Sequence, residues 1–375
     1  MLPLVAGVTL LATGTAGGVF CHLRHFSLAL LVLLAPLPGI AFVLPPFWAL
    51  VGFRLVLLAY VTSLGVGLLL AGEFMLLVCE GAEREAAVRA VYRRRGVALG
   101  AGSLAMTLAL ALTGLMDQAR PLALGAATLA VAANGSVVCV FYVARFLPCR
   151  EDFVTRHNRS EERWHRLSNW LIAVAQPRWS HAVAGIALVF MALGVFGAQP
   201  LKIEWQLESG VWAMPLIALV VLAALAGAIR DWHAVLAAGL TLLIPILLGL
   251  WGLAVAGAAL TVENLLLLLL AVSTGAASLF AAGTDAGRMS RAGDDATASA
   301  GRILQRDGRN LFFAGAIPAL TLLLSAPATG AAGIALAIAA GAAVAGALLF
   351  LPAFAVVIEG WFPRVTTLAS CYRLL

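Results

Sequence analysis

The chain has 375 residues, 62% of them hydrophobic and only 11% charged, with a mean hydropathy of +1.01. Soluble domains carry about 25% charged residues, so a water-soluble globular fold is excluded. The net charge of +6 and pI near 9.5 would also suit a nucleic-acid binder, but membrane topology accounts for the basic residues and no nucleic-acid partner is expected.

Apolar runs of bilayer length, separated by polar breaks, predict an all-α polytopic membrane protein with eleven crossing helices: 3–21, 26–44, 50–77, 96–115, 121–147, 180–198, 211–229, 233–251, 261–282, 310–326 and 331–358. The first run, "MLPLVAGVTLLATGTAGGVF", lacks the basic start of a signal peptide. Its first charge, Arg24, comes after the apolar stretch, so it is taken as a helix with its N-terminus outside. Prolines mark several of the expected ends: Pro45-Pro46, Pro121, Pro148, Pro200 and Pro352.

Orientation follows from the arginines. Most lie in "EGAEREAAVRAVYRRRG" (80–96), "CREDFVTRHNRSEERWHRLSNW" (149–170) and "RMSRAGDDATASAGRILQRDGR" (288–309), which fall on one side if the helices alternate. Only Arg54, Arg120 and Lys202, the sole lysine, fall on the other. These three segments are expected in the cytoplasm, with the C-terminus, and the connections opposite them are too short for a folded external domain. Within 152–176, Phe153, Trp164, Leu167, Trp170, Leu171 and Val174 recur at helical spacing among charges. That pattern predicts an amphipathic helix on the inner leaflet, in contact with membrane lipids.

The order of features repeats. Arg24-His25, a long helix with Gly65 and Gly67, a charged segment ending at Gly96, and Leu147-Pro148 are followed by Arg230-Asp231, a helix with Gly275, a charged segment ending at Gly308, and Leu351-Pro352. Each unit begins with a helix running inward, so two parallel five-helix repeats related by a pseudo-twofold axis are expected. This divides the chain into 1–150, the first repeat; 151–210, the interfacial helix and one linking helix; and 211–375, the second repeat.

This pattern resembles the resistance-nodulation-division superfamily, and within it the mycobacterial-membrane-protein-large and hopanoid-exporter type of lipid transporter. The resemblance rests on "RDWHAVLAAGLTLLIPILLGLWGLAVAGAALTVENLLLLLLAVSTGAAS", on the region around "RDGRNLFFAGAIPALTLLL", and on "LLFLPAF". It implies an exporter-like protein of the bacterial inner membrane, handling a lipid or other hydrophobic substrate. Set against the resemblance, the family's first helix and first porter domain are expected to be absent and the second porter domain reduced to "AQPLKIEWQLES" (198–209), which leaves room for a partner chain that supplies external domains. Two of the family's helices carry a proton-relay aspartate after a glycine-rich turn. Laid on that motif, this sequence has Gly67 and Ala277 where the carboxylates stand. The alternative reading is a non-transporting accessory or scaffold subunit of a lipid-export or biosynthesis complex.

Ionisable groups inside membrane helices are functional candidates, because burying them costs several kcal/mol. Glu73, in "GLLLAGEFMLLVCE", is the leading proton- or ion-coupling candidate, as a displaced proton site or the partner of a basic group. Asp285 and Asn134 are the others: Asp285 sits at the expected cytoplasmic exit of its helix, and Asn134 is suited to bonding a neighbouring helix. Glu263 begins its helix, where the dipole favours a carboxylate. Gly14 and Gly18 form a GxxxG packing face. No HExxH, P-loop, GxSxG or dinucleotide motif occurs on a suitable element, so no enzyme activity, cofactor or metal is expected. Cys21, Cys79, Cys139, Cys149 and Cys371 show no ligand spacing and are expected as free thiols.

Overall fold

The structure is a computed structural model that describes residues 2–47, 52–115, 120–147, 164–173, 175–201, 213–329 and 331–362. Every regular element among them is helical. In chain order these are α1 (Leu2–Leu23), α2 (Phe26–Leu34), α3 (Leu37–Phe47), α4 (Phe53–Cys79), α5 (Arg84–Thr113) and α6 (Arg120–Phe141). They are followed by α7 (164–173), α8 (Pro177–Gly197), α9 (Ala213–Ile229), α10 (Trp232–Val255) and α11 (Val262–Arg291). The last are α12 (Ala296–Arg306), α13 (Gly308–Thr329), α14 (Ala331–Ala345) and α15 (Leu351–Trp361), with a π-helical segment, Gly346–Phe350, joining the final two. Among the described residues nine helical stretches are long and apolar enough to cross a membrane. The multi-pass helical membrane fold expected from composition is therefore present.

Several expected boundaries are corrected. The run 26–44 breaks at Ala35-Pro36 into α2 and α3, because proline cannot continue the hydrogen-bond ladder of the preceding turn. The segment 80–96, expected as a loop, folds into the start of α5 from Arg84 onwards. The segment 288–309 is equally ordered: α11 runs on to Arg291, and α12 follows as a short amphipathic helix. Asp285 therefore lies inside α11 and not at its exit. The interfacial helix is described only over 164–173; residues 148–163 and the connection 202–212 lie outside the described residues.

Two helices form the centre. In both α4 and α11, 89% of the apolar stretch is buried, against 22% in α8. They run in the same direction. Thr62 of α4 meets Leu270 and Ser273 of α11, and about three turns further along, Glu73 and Asp285 reach the same arginine, Arg95. Helix α13 lies against α4, where Gly65 faces the Ala314 carbonyl, and α5 lies against α11, where Gly102 faces Phe280. The outer helices cross over: α1 packs on α13 and α9 on α5. Gly14 and Gly18 serve the first of these contacts, facing Leu324 and Ile317.

Local features recur between the halves. Arg24 and Arg230 are the non-glycine residues with positive φ among the described residues, at 50° and 56°. Each ends an outer helix and is followed by a cap: His25 Nδ1 accepts from the Leu28 amide, and Asp231 Oδ1 from the Ala234 amide. The contacts Gly72–Asn310 and Gly102–Phe280 exchange under one displacement that carries 72 onto 280 and 102 onto 310.

Candidate functional site: a buried charge cluster

The bundle interior near the junction of α4 and α5 holds a compact ionic cluster. Arg95 is at its centre, 1% exposed. Its Nη2 lies 2.8 Å from Glu73 Oε2 and 3.2 Å from Asp307 Oδ2, and its Nη1 lies 2.5 Å from Asp285 Oδ2. Arg94 approaches the same carboxylates from the rim, 2.7 Å from Glu73 Oε1, 2.5 Å from Asp307 Oδ2 and 3.6 Å from Asp285 Oδ2. Arg288, one turn beyond Asp285, donates to the Arg94 carbonyl and lies 3.4 Å from Asp285 Oδ1. Glu73, Asp285 and Asp307 are all buried.

The elements explain the convergence. The helical period puts Arg95 on one stripe of α5 with Val88, Val91, Ala98 and Leu99, all buried, so the stripe that packs inward takes the guanidinium with it. Glu73 lies on α4 and Asp285 on α11, the two central helices, and Asp307 joins α12 to α13. The arginines of the first half thus bind one carboxylate of their own half and two of the second. A guanidinium offers five donors in a fixed plane and stays charged, which lets Arg95 bridge three carboxylates that would repel one another without it. Three buried carboxylates surround buried Arg95 and half-buried Arg94, so the set carries one surplus negative charge unless Arg288 or a proton offsets it. Burial, opposed by the two arginines, pushes the Asp307 carboxyl up to about 6, and its Oδ1 is buried without a hydrogen-bond partner.

The sequence-derived candidates separate. Glu73 and Asp285 come together through Arg95. Asn134 lies elsewhere, on α6, where its Oδ1 accepts from Ser63 at 2.8 Å. Glu263 stays at the opposite end, half-exposed and 3.9 Å from Arg54. Gly67 faces its own half: a Cβ there would meet Val32 at 3.2 Å and Val137 at 3.5 Å. On α11, a Cβ at Gly275 would meet Ala343. Ala277 lies in the core around it. The seam between α4 and α11 is lined by small residues and hydroxyls, with Thr62 donating to the Leu58 and Leu270 carbonyls and Ser278 to Leu311. The positions set against the family's carboxylates carry none, and the ionisable candidates Glu73 and Asp285 meet further along the same two helices.

Arg94, Arg95 and Asp307 escaped the sequence analysis because they lie in segments taken for loops. The signal was present. Continuing the apolar period of 97–113 backwards reaches Arg95, Val91 and Val88, which marks one arginine of "RRR" as inward-facing. Nothing comparable marks Asp307.

No family model matches the sequence, nor does any curated protein. Solved structures do. SecDF in a super-membrane-facing form has a TM-score of 0.72 at 11% identity, over 98% of this chain and 63% of that one. SecDF from Thermus thermophilus, described as a translocon-associated membrane protein, has a TM-score of 0.71 at 13% identity, over 95% and 62%. The chain thus spans less than two thirds of the length of these neighbours. At this level of identity the likeness shows the fold alone: a SecDF-like multi-pass helical membrane fold.

Proposed function

We propose that this protein is an exporter-like membrane transporter of the resistance-nodulation-division type, handling a lipid or other hydrophobic substrate, with the Glu73–Arg95–Asp285–Asp307 cluster as its coupling centre. The observation that carries this reading is the cluster itself: charged groups from both halves, removed from water and held by two arginines that cross between the halves. Buried ions in a membrane bundle are costly to keep, and an ion pair can be replaced by apolar residues without loss of stability. A cluster that spans the two halves has a use if the halves move relative to one another. Protonating Asp285 or Asp307 removes the charge that each arginine holds across the divide and frees the second half to rock. Lipid is the fitting substrate class because the seam and its flanks are apolar and the outer helices present large hydrophobic side chains. In this reading the two halves are pseudo-twofold repeats, the charged end is cytoplasmic, and the membrane is the bacterial inner membrane.

The test is transport in proteoliposomes with an imposed pH gradient and a fluorescent lipid or dye as cargo. Wild-type protein is expected to export in a gradient-dependent manner, and Glu73→Gln to lose that dependence while still inserting and folding. Gradient-dependent export unchanged in Glu73→Gln would remove the cluster from the mechanism.

A second reading, a non-transporting accessory or scaffold subunit, is supported by a different observation. Every carboxylate of the cluster is already engaged by arginine, and the seam hydroxyls bond to backbone carbonyls or to each other. Such an interior can be a lock with no second state. One of the structural neighbours is translocon-associated; on this reading the present chain too would copurify from native membranes with a partner bearing external domains, and would not transport alone.

A further inference from the structure

Asp307 is held by charge on one side, and the backbone to either side of it is held by a helix outside the cluster. Arg94 and Arg95 reach its Oδ2 at 2.5 and 3.2 Å. Trp164 of α7 donates from Nε1 to the Leu304 carbonyl at 3.0 Å. That carbonyl belongs to the last turn of α12, where such groups lack a partner within their own helix. The indole also covers Gly308, where an added Cβ would stand 2.8 Å from Trp164 Cζ2, and its ring lies 6.1 Å from that of Phe312. Further back on α12, a Cβ at Gly301 would lie 3.9 Å from Ile172 Cγ2. Gly301, Leu304, Gly308 and Phe312 thus form one stripe across the α12–α13 corner, and α7 runs along it.

The helical period divides α7 into three sides. Trp164, Ser168 and Leu171 share one and are buried. Leu167 and Trp170 lie about 100° further round and are 46% and 62% exposed. His165, Arg166 and Asn169 occupy the third, also exposed. A helix lying in the plane of a bilayer needs all three, against protein, acyl chains and water. Its continuation agrees: α8 is apolar and long enough to cross a membrane, begins at Pro177 and exposes Trp179 in its first turn. Helix α7 therefore sits at the level of the interface, where tryptophans collect.

We propose that α7 is a lipid-seated brace: Leu167 and Trp170 anchor it in the membrane interface, and Trp164 passes that anchorage to the Leu304–Gly308 corner, holding Asp307 in register with Arg94 and Arg95. Trp164 is a positioning residue that acts through the backbone around Asp307. The Asp307 side chain is fully buried and its Oδ1 has no hydrogen-bond partner, so water is the first thing a loosened corner admits there. The brace concerns the geometry of the cluster and does not require that the protein transport.

The experiment uses full-length protein in nanodiscs, with amide hydrogen exchange read by mass spectrometry. In Leu167→Gln with Trp170→Gln, which keeps Trp164, amides of 304–311 should exchange several-fold faster than in wild type. Those of α11 should stay protected, which shows that the bundle is folded. Trp164→Ala should give the same pattern. A second readout is one that a merely structural contact would not move. Burial raises the Asp307 carboxyl, against the arginines Arg94 and Arg95 and with the carboxylates Glu73 and Asp285, so wild type should melt higher at pH 5 than at pH 7.5. Arg288 faces the same group from α11, Arg306 and Arg309 bond instead to Glu80 and the His22 carbonyl, and His165 is the titratable group of α7 itself. Water entering a released corner relieves the burial, so Trp164→Ala should shrink the difference. In an Asp307→Asn background Trp164→Ala should alter it no further, which separates Asp307 from His165. Unchanged exchange at 304–311 in the double variant, an equal pH difference in wild type and Trp164→Ala, or a further change on Asp307→Asn would each overturn the proposal.

Discussion

At the residue scale, the pairing of Glu73 decides more than its burial. Glu73→Gln leaves Arg95 charged and buried with two carboxylates in place of three, and Arg94 without its 2.7 Å partner. Breaking one side of a buried ion pair costs about 3–5 kcal/mol, so the variant should melt well below wild type. Because the penalty lies mainly in the stranded arginine, adding Arg95→Met should recover part of the loss; a double variant as unstable as the sum of the singles would show that the groups do not act together. Asp307 makes a prediction of opposite character. Its folded carboxyl is raised by burial to about 6 among Arg95, Glu73, Arg94 and Asp285, so between the unfolded value near 4 and 6 the folded protein holds more protons than the unfolded one. Stability then falls as pH rises through that window. Melting scans in detergent should give a higher temperature at pH 5 than at pH 7.5, with the difference shrinking in Asp307→Asn; an unchanged difference would move the titration to another group. Glu73 and Asp285 could be picked out from sequence because a lone carboxylate in an apolar run stands out. Asp307 could not, since "QRDGRN" looks like any polar turn.

Among the elements, α4 and α11 are held close by what they lack. A Cβ at Gly65 would stand 2.9 Å from the Ala314 carbonyl oxygen and 3.4 Å from that of Thr274; both are backbone atoms, which cannot swing aside. Gly65→Val should therefore wedge α13 from α4, lower the melting temperature and loosen the seam, as judged by cysteine accessibility along α4. Gly100, on α5, is the control, with nothing within 4 Å of its added Cβ; Gly100→Ala should be neutral or stabilising by up to about 1 kcal/mol from helix propensity. Equal behaviour of the two would contradict the packing. The spans themselves were legible, since twenty consecutive apolar residues have few other solutions. Their polar ends were less so. The stretches 80–96 and 288–309 carry enough charge to pass for loops, yet Arg84 onwards continues as α5 and Ala296–Arg306 forms its own helix. A helix that leaves the bilayer has no reason to stop there if its apolar stripe still finds a partner.

For the whole molecule the question is whether the halves move. Thr62 Oγ1 and Ser273 Oγ are 3.2 Å apart across the seam, close enough for cysteines at both positions to be bridged with little backbone adjustment. In a background without the native thiols, oxidising Thr62→Cys with Ser273→Cys should join α4 to α11. If transport needs the halves to rock, it should stop on oxidation and return on reduction. Transport that survives the cross-link would place the motion elsewhere; efficient cross-linking of a chain that never transports would favour the scaffold reading. Both outcomes use the same parallel pair of helices, each with its first turn beside the Arg54–Glu263 contact and its later turns at the Arg95 cluster.

The sequence alone determined that the chain is helical and built for a bilayer, because composition and run length act locally and leave few alternatives. It also marked Arg24-His25 and Arg230-Asp231 as corresponding turns, which the structure shows as the same left-handed residue followed by a capping side chain. Only the tertiary structure decided which charges meet. Arg95 and Asp285 are separated by 190 positions and Arg94 and Asp307 by 213; helical period reveals the face a residue occupies, but not which face of a distant helix will lie against it. That choice depends on how glycines such as Gly65 let backbones approach, and close approach is a property of two surfaces together.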